Sequence, residues 1–308
     1  MSKRCVAPFL ACLALAAPAS ASAHARTATV ALDYHLVLDP STRALPDVHL
    51  AVLDGDRSLR VAVRLVTLTI LGDLGEPMLR IGPAGTFASR NSPTANAAKI
   101  TQPGSGWQRV GGASYAWHDH RLAPPPFAAR TGPAGRFEIP ARLDGRKVTI
   151  GGTFVRAARP NAWPWLLGCV VVTALLVGAA RLRPERRSLF AVVLGGLAVL
   201  AALTALVTFN AADAPNGRVA WAQIVLGCAL AAAGAAGLAR LRGETQALLA
   251  GVLGVAAAVS SLGSLGVFRH GVVISLLSPP LARLVAATAL TAGTAAAATL
   301  FLRTRRLA

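Results

Sequence analysis

The chain has 308 residues, 54% of them hydrophobic and only 14% charged, against about 25% charged in an ordinary soluble protein; a wholly soluble globule is excluded. The formal net charge of +18 is dispersed: residues 24–161 hold 17 Lys/Arg against 10 Asp/Glu without a run of like charges, and nine more Arg sit in short loops beside apolar spans. No basic patch with interleaved aromatics is left over, so nucleic acid is a poor partner.

In chain order, residues 1–23 read as a secretory signal. Lys3 and Arg4 make a basic start, Cys5 to Ala17 an apolar core, and Ala21-Ser22-Ala23 an A-x-A cleavage site. Cleavage after Ala23 makes His24 the mature N-terminus; the alternative cut after Ala25 removes it. The four cysteines lie at 5 and 12 in this leader and at 169 and 228 in apolar spans, so the exported part is expected to fold without disulfides.

Residues 24–160 are expected to form an all-β extracytoplasmic sandwich of immunoglobulin-like or cupredoxin-like shape. Apolar runs at Val48 to Val52, Leu59 to Leu71, Trp107 to Trp117 and Lys147 to Val155 alternate with turn signals at Asp54-Gly55, Gly72-Asp73, Gly82-Pro83, Gly111-Gly112 and Asp144-Gly145. Asn91 to Gly106 and Pro124-Pro125-Pro126 read as loops. Trp107 and Trp117 read as core or rim anchors. Asn161 to Trp165 has the look of an interfacial aromatic belt.

The stretch with chemical content is Tyr115-Ala116-Trp117-His118-Asp119-His120-Arg121. Residues i and i+2 of a strand share a face, so His118 and His120 are expected to offer two imidazoles to one ion while Trp117 and Asp119 face the other way. His24 is the natural third ligand, because a terminal histidine supplies both an α-amine and a ring nitrogen. Such a nitrogen-rich planar set suits Cu(II). Glu76, in a turn between Gly75 and Pro77, reads either as a partner that orients a histidine or as half of a salt bridge to Arg80 or Arg121. Asp119 is a second candidate for orienting a ligand. His35 and His49 read as structural and His270 as a solvated helix cap.

Three segments carry a resemblance: Leu71 to Ile81 with its Gly75-Glu76-Pro77, Asn91-Ser92-Pro93-Thr94, and Trp107 with Trp117-His118-Asp119-His120-Arg121. Together they resemble a family of actinobacterial exported, membrane-anchored proteins, whose members have a histidine near the mature start and a GEP…SP…WHDHR series. Many of them continue with His-Trp where this chain has Leu122-Ala123-Pro124. The terminal His plus H-x-H is also similar, in its ligands alone, to the copper site of the cupredoxin-like subunit of particulate methane monooxygenase and to that of periplasmic copper carriers. The resemblance implies copper and says nothing of oxidation chemistry.

Residues 161–308 read as a transmembrane domain with five spans at about 163–180, 189–209, 219–239, 246–268 and 281–302, each near the ~20 residues that cross a bilayer. Val272 to Leu277 leaves open a re-entrant segment or a broken last helix. Arginine sorting is expected to place the N-terminal domain outside the plasma membrane and the C-terminus in the cytoplasm. The span centres lack ionisable residues and are rich in small ones, as at Gly195-Gly196, Ala231 to Gly237 and Gly251 to Ala258, which favours an anchor over a permease.

No complete catalytic motif names a reaction, so an enzyme is not expected. The expected function is a membrane-anchored extracytoplasmic copper-binding or delivery protein, in contact with lipid and with a copper-handling or envelope protein. The alternatives are a transporter with a β-domain receptor and a metal-free envelope scaffold.

Overall fold

β-branched and aromatic residues with period-two alternation run out at Arg156, and an unbroken apolar stretch starts at Trp163. The computed structural model, which describes residues 31–53, 58–124, 131–212 and 221–304, changes from strand to helix there. The chain divides into a β-rich unit, Leu32–Ala158, and a helical unit that begins at Arg159 and also takes in Ala31. The expected signal segment, His24 and the Asp54-Gly55 turn lie outside the described residues.

After a two-residue β1 (Ala31–Leu32), the β-rich unit contains β2 (Tyr34–Leu38), β3 (Val48–Leu53), β4 (Ser58–Val63), β5 (Leu68–Leu71), β6 (Pro77–Gly82), β7 (Gly85–Ser89), β8 (Trp107–Gly111), β9 (Ser114–His118), β10 (Gly132–Leu143) and β11 (Arg146–Arg156). Seven strands form one open sheet in the order β2-β11-β10-β5-β6-β7-β8; three form another in the order β3-β4-β9. Every pair in these two sheets is antiparallel. Leu59, Val61 and Trp117 of the smaller sheet share one core with Leu68, Ile70, Leu79, Ile81, Ile139 and Ile150 of the larger. Alternation does the sorting: along β10, Phe137, Ile139, Ala141 and Leu143 are buried while Arg136, Glu138, Pro140 and Arg142 are exposed.

The strands differ from the sequence expectation in instructive places. Leu59 to Leu71 is two strands, β4 and β5, in different sheets; Trp107 to Trp117 is also two, β8 and β9, parted at the expected Gly111-Gly112 turn and placed in different sheets. The Asp144-Gly145 turn is present, with φ of 46° and 83°, the paired positive values a two-residue hairpin requires. Asn91 to Gly106 is not wholly loop: it holds α2 (Pro93–Ala97), the second short helix after α1 (Pro40–Arg43). Ser92 caps α2 by accepting from the Ala95 amide at 3.1 Å, and Pro93 supplies the first turn.

Among its described residues the helical unit holds five helices long and apolar enough to cross a membrane: α3 (Trp163–Leu182), α4 (Arg187–Ala211), α5 (Trp221–Arg240), α6 (Gly243–Ser261), extended by a 3-10 stretch Leu262–Phe268, and α7 (Pro279–Thr304). Length and composition of this kind mark a multi-pass membrane protein. α7 begins at Pro279, and Val272 to Leu277 is neither re-entrant helix nor part of α7; it holds a two-residue strand, β12 (Val272–Val273), and bends.

Glycine sets the spacing of the bundle. A Cβ on Gly195 would lie 2.5 Å from the Ala250 carbonyl, and one on Gly293 would lie 2.6 Å from the Gly254 carbonyl, so α4, α6 and α7 meet backbone to backbone.

The helix ends follow a shared device. The last carbonyls of a helix lack partners, and here the next helix donates to them from its first turn. Arg187 Nε reaches the Ala180 carbonyl at 2.9 Å, Gln246 Nε2 the Leu238 carbonyl at 2.8 Å, and Arg283 Nε the Val267 carbonyl at 2.8 Å.

Candidate functional site

The three motif segments converge at one end of the β-rich unit. Gly72 to Glu76 form a tight turn after β5, in which the Gly72 amide donates to the Glu76 carbonyl at 2.7 Å and Gly75 takes φ 76°. Gly72 is obligatory for a steric reason: a Cβ there would run into the Glu76 carboxylate and the Thr94 hydroxyl.

The Glu76 carboxylate accepts from the Ser92 hydroxyl at 2.7 Å, the Leu74 amide at 3.1 Å and the Thr94 amide at 3.3 Å. The Thr94 hydroxyl in turn accepts from the Asp73 amide at 2.9 Å. The Gly-Glu-Pro turn and the Ser-Pro helix start are therefore one hydrogen-bonded unit. Burial works to raise the pKa of Glu76, but the Ser92 and Thr94 hydrogen bonds, with the backbone amides, outweigh it and bring it to about 2. Neither expected salt bridge is present: Glu76 uses hydroxyl and amide donors, and Arg80 lies over the Trp107 ring, 4.4 Å from its centre.

The third segment splits at His118. β9 ends there, and His120 to Leu122 form a single 3-10 turn capped by Asp119, whose side chain accepts from the Arg121 amide at 3.1 Å. His120 is thus on a turn, not on the strand face that carries His118. Trp117 and Asp119 do point inward together, the indole Nε1 donating to Asp119 Oδ2 at 3.1 Å. Arg121 closes on the same carboxylate with two bonds, Nε at 2.8 Å and Nη2 at 2.7 Å, and donates from Nη1 to the Leu71 carbonyl at 3.0 Å. Since Leu71 ends β5 and Asp119 follows β9, Arg121 ties the two sheets together at this edge.

Burial alone would raise the Asp119 pKa; the Arg121 hydrogen bonds and charge, with the Trp117 indole, hold it below the ordinary aspartate value. Arg121 is lifted further into its charged range by Asp119, with Asp73 and Glu76 adding to it, against the opposing effect of its own burial.

Asp119 and Glu76 thus have their oxygens engaged inside the fold. The groups that face outward are His118, His120 and Asp73, which line one groove of about 540 Å³ floored by Met78, Trp117 and Leu122. His118 Nδ1 shares a hydrogen bond with the Ser58 hydroxyl at 3.0 Å. His120, two-thirds exposed, places Nε2 3.4 Å from Asp73 Oδ1. Among the described residues, no three His, Cys, Asp or Glu side chains are grouped closely enough to hold an ion. His118 and His120 share the groove, and His24 lies outside the described residues. Asp73 and Arg121 are site residues that the H-x-H spacing did not single out; the Gly-Asp turn and the Arg closing WHDHR were their signals.

No protein-family model, curated protein or solved structure matches this chain.

Proposed function

We propose that the chain is a membrane-anchored metal-binding or delivery module, with its β-rich unit exported as a β-sandwich and copper as its metal. The observation that carries the reading is the shared groove: two imidazoles one residue apart in sequence open onto it, and one already faces the Asp73 carboxylate. Neutral imidazole and carboxylate suit a divalent transition ion, and adding the His24 amine and ring shifts the set toward the nitrogen-rich plane of Cu(II). The resemblance to exported actinobacterial proteins and to terminal-histidine copper sites points the same way. In this reading signal cleavage completes the site, Asp73 holds the His120 ring in place, and the arginine-rich loops keep the C-terminus in the cytoplasm of a cell whose plasma membrane the helices span.

The test is a Cu(II) titration of the purified, processed full-length protein against a chromophoric competitor. One ion should bind. His118→Ala and His120→Ala should each weaken it steeply, as should one Ala inserted before His24, while His35→Ala leaves it unchanged. Affinity should fall as the solution is acidified, because protonated imidazole does not ligate. A His118→Ala/His120→Ala double variant that keeps full affinity places the ion elsewhere and removes this reading.

A further inference from the structure

The exposed face of the seven-stranded sheet carries a line of cations that the sequence scatters over 68 positions, from Arg80 to Lys147. Register assembles it. Lys147 on β11 pairs with Arg142 on β10, Arg142 with Thr69 on β5, Thr69 with Arg80 on β6, Arg80 with Phe87 on β7, and Phe87 with Arg109 on β8. Directly paired residues of an antiparallel sheet share a face, so the six form a single row running across the strands. Its four charged members are exposed and Thr69 and Phe87 are half-buried.

With strands about 4.8 Å apart, the second, third and fourth cations lie about 5, 14 and 24 Å from the first. No described carboxylate forms an ion pair with any of the four. The row on one side, with Pro140 and Thr149, is uncharged; the row on the other holds Thr67, Gly82 and one carboxylate, Asp144, whose side chain is taken up by the Thr67 amide at 2.9 Å.

Four like charges in a line, none in an ion pair among the described residues, repel one another and weaken the sheet that holds them, and the ring contact with Trp107 accounts for Arg80 alone. We propose that this row is a docking surface for a linear acidic glycan, a sugar polymer bearing carboxylates. The charges form a stripe one residue wide, which fits a linear polyanion better than the flat headgroup surface of a membrane. Three of the four are arginines, whose planar fork takes a carboxylate in two parallel hydrogen bonds. A nucleic-acid strand would call for open aromatic faces on which bases stack. Trp107 is the large aromatic beside the row, and the Arg80 guanidinium already lies over its ring.

This surface shares with the copper reading only the exported placement of the β-rich unit, and a binding assay on purified protein in the presence of a chelator reads it independently of metal. The probe is polygalacturonate, offered to immobilised full-length protein in neutral detergent and followed by interferometry. Binding should weaken as salt is added, since screening shortens the reach of exposed charges. Arg80→Gln, Arg109→Gln, Arg142→Gln and Lys147→Gln should each weaken it about two- to five-fold and the quadruple variant at least about 15-fold, with the thermal unfolding transition retained. Arg43→Gln/Arg64→Gln, exposed and off the row, should change it by less than any single row variant. Equal losses from the off-row pair would reduce the effect to net charge and overturn the proposal. Tighter binding of oligo-dT, inorganic polyphosphate or phosphatidylglycerol vesicles than of polygalacturonate would overturn the choice of a carboxylated glycan.

Discussion

Asp119 accepts from Trp117 and Arg121 at once, and Glu76 from Ser92 and two amides, so these acids act as fixed acceptors that hold the edge of the fold in register. The arrangement has a titration consequence. A carboxylate whose pKa falls on folding stabilises the fold at pH above its unfolded value, and the contribution disappears as pH drops through the folded value. For Glu76 that window runs from about 4.5 down to about 2, and Asp119 shifts in the same direction. The tryptophan-detected unfolding transition of the β-rich unit should move to lower temperature as pH falls from 4.5 toward 2. Glu76→Gln should flatten part of that slope; an unchanged slope would show that Glu76 titrates alike in the folded and unfolded chain.

Among the helices, glycines with a neighbour and glycines without one make opposite predictions. Gly293 on α7 faces the Gly254 carbonyl on α6, whereas Gly168 on α3 has open space around its Cα. Gly293→Leu should destabilise the bundle by about 1–3 kcal/mol through overpacking, read as an earlier helical transition by circular dichroism in detergent, and Gly168→Leu should leave that transition in place. If both variants melt alike, backbone contact does not set the helix spacing.

This scale also shows what the amino-acid sequence makes legible. The five apolar helices could be read with their ends nearly right, because a continuous apolar run of about 20 residues has few other homes. The Asp144-Gly145 hairpin was equally plain. β10 carries no plain strand signal because Pro133, Gly135 and Pro140 interrupt it, although its inward Phe137, Ile139, Ala141 and Leu143 alternate cleanly. β4 and β5 ran together because alternation does not say where a chain changes sheets. At the site, the inward turn of Trp117 and Asp119 follows from strand period, while the break after His118 depends on Asp119 capping the next turn, a local contact that strand period does not signal. The cationic row had no local signal, since Arg80, Arg109, Arg142 and Lys147 become neighbours only through register.

For the molecule as a whole, arginine counts beside the helices predict its sidedness. In a background lacking Cys169 and Cys228, a cysteine at Asn216 should react with an impermeant thiol reagent on intact cells, and one at Gly243 only after permeabilisation; the reverse pattern would place the β-rich unit in the cytoplasm. The path from that unit to the first helix has a further consequence. β11 ends at Arg156 and α3 begins at Trp163, a connector of six residues that spans at most about 20 Å. β11 is an inner strand, zipped to β10 along its whole length and to β2 over five residue pairs, and the Ala157 amide extends the hold by donating to the Asp33 carbonyl at 2.8 Å. A pull on the connector directed along the axis of this strand would load both ladders in shear, so that many hydrogen bonds must give way together instead of peeling open one at a time. The first membrane-length helix is thus tied to an inner strand of the sheet and not to an edge strand, as a rope is tied to a beam and not to its rim.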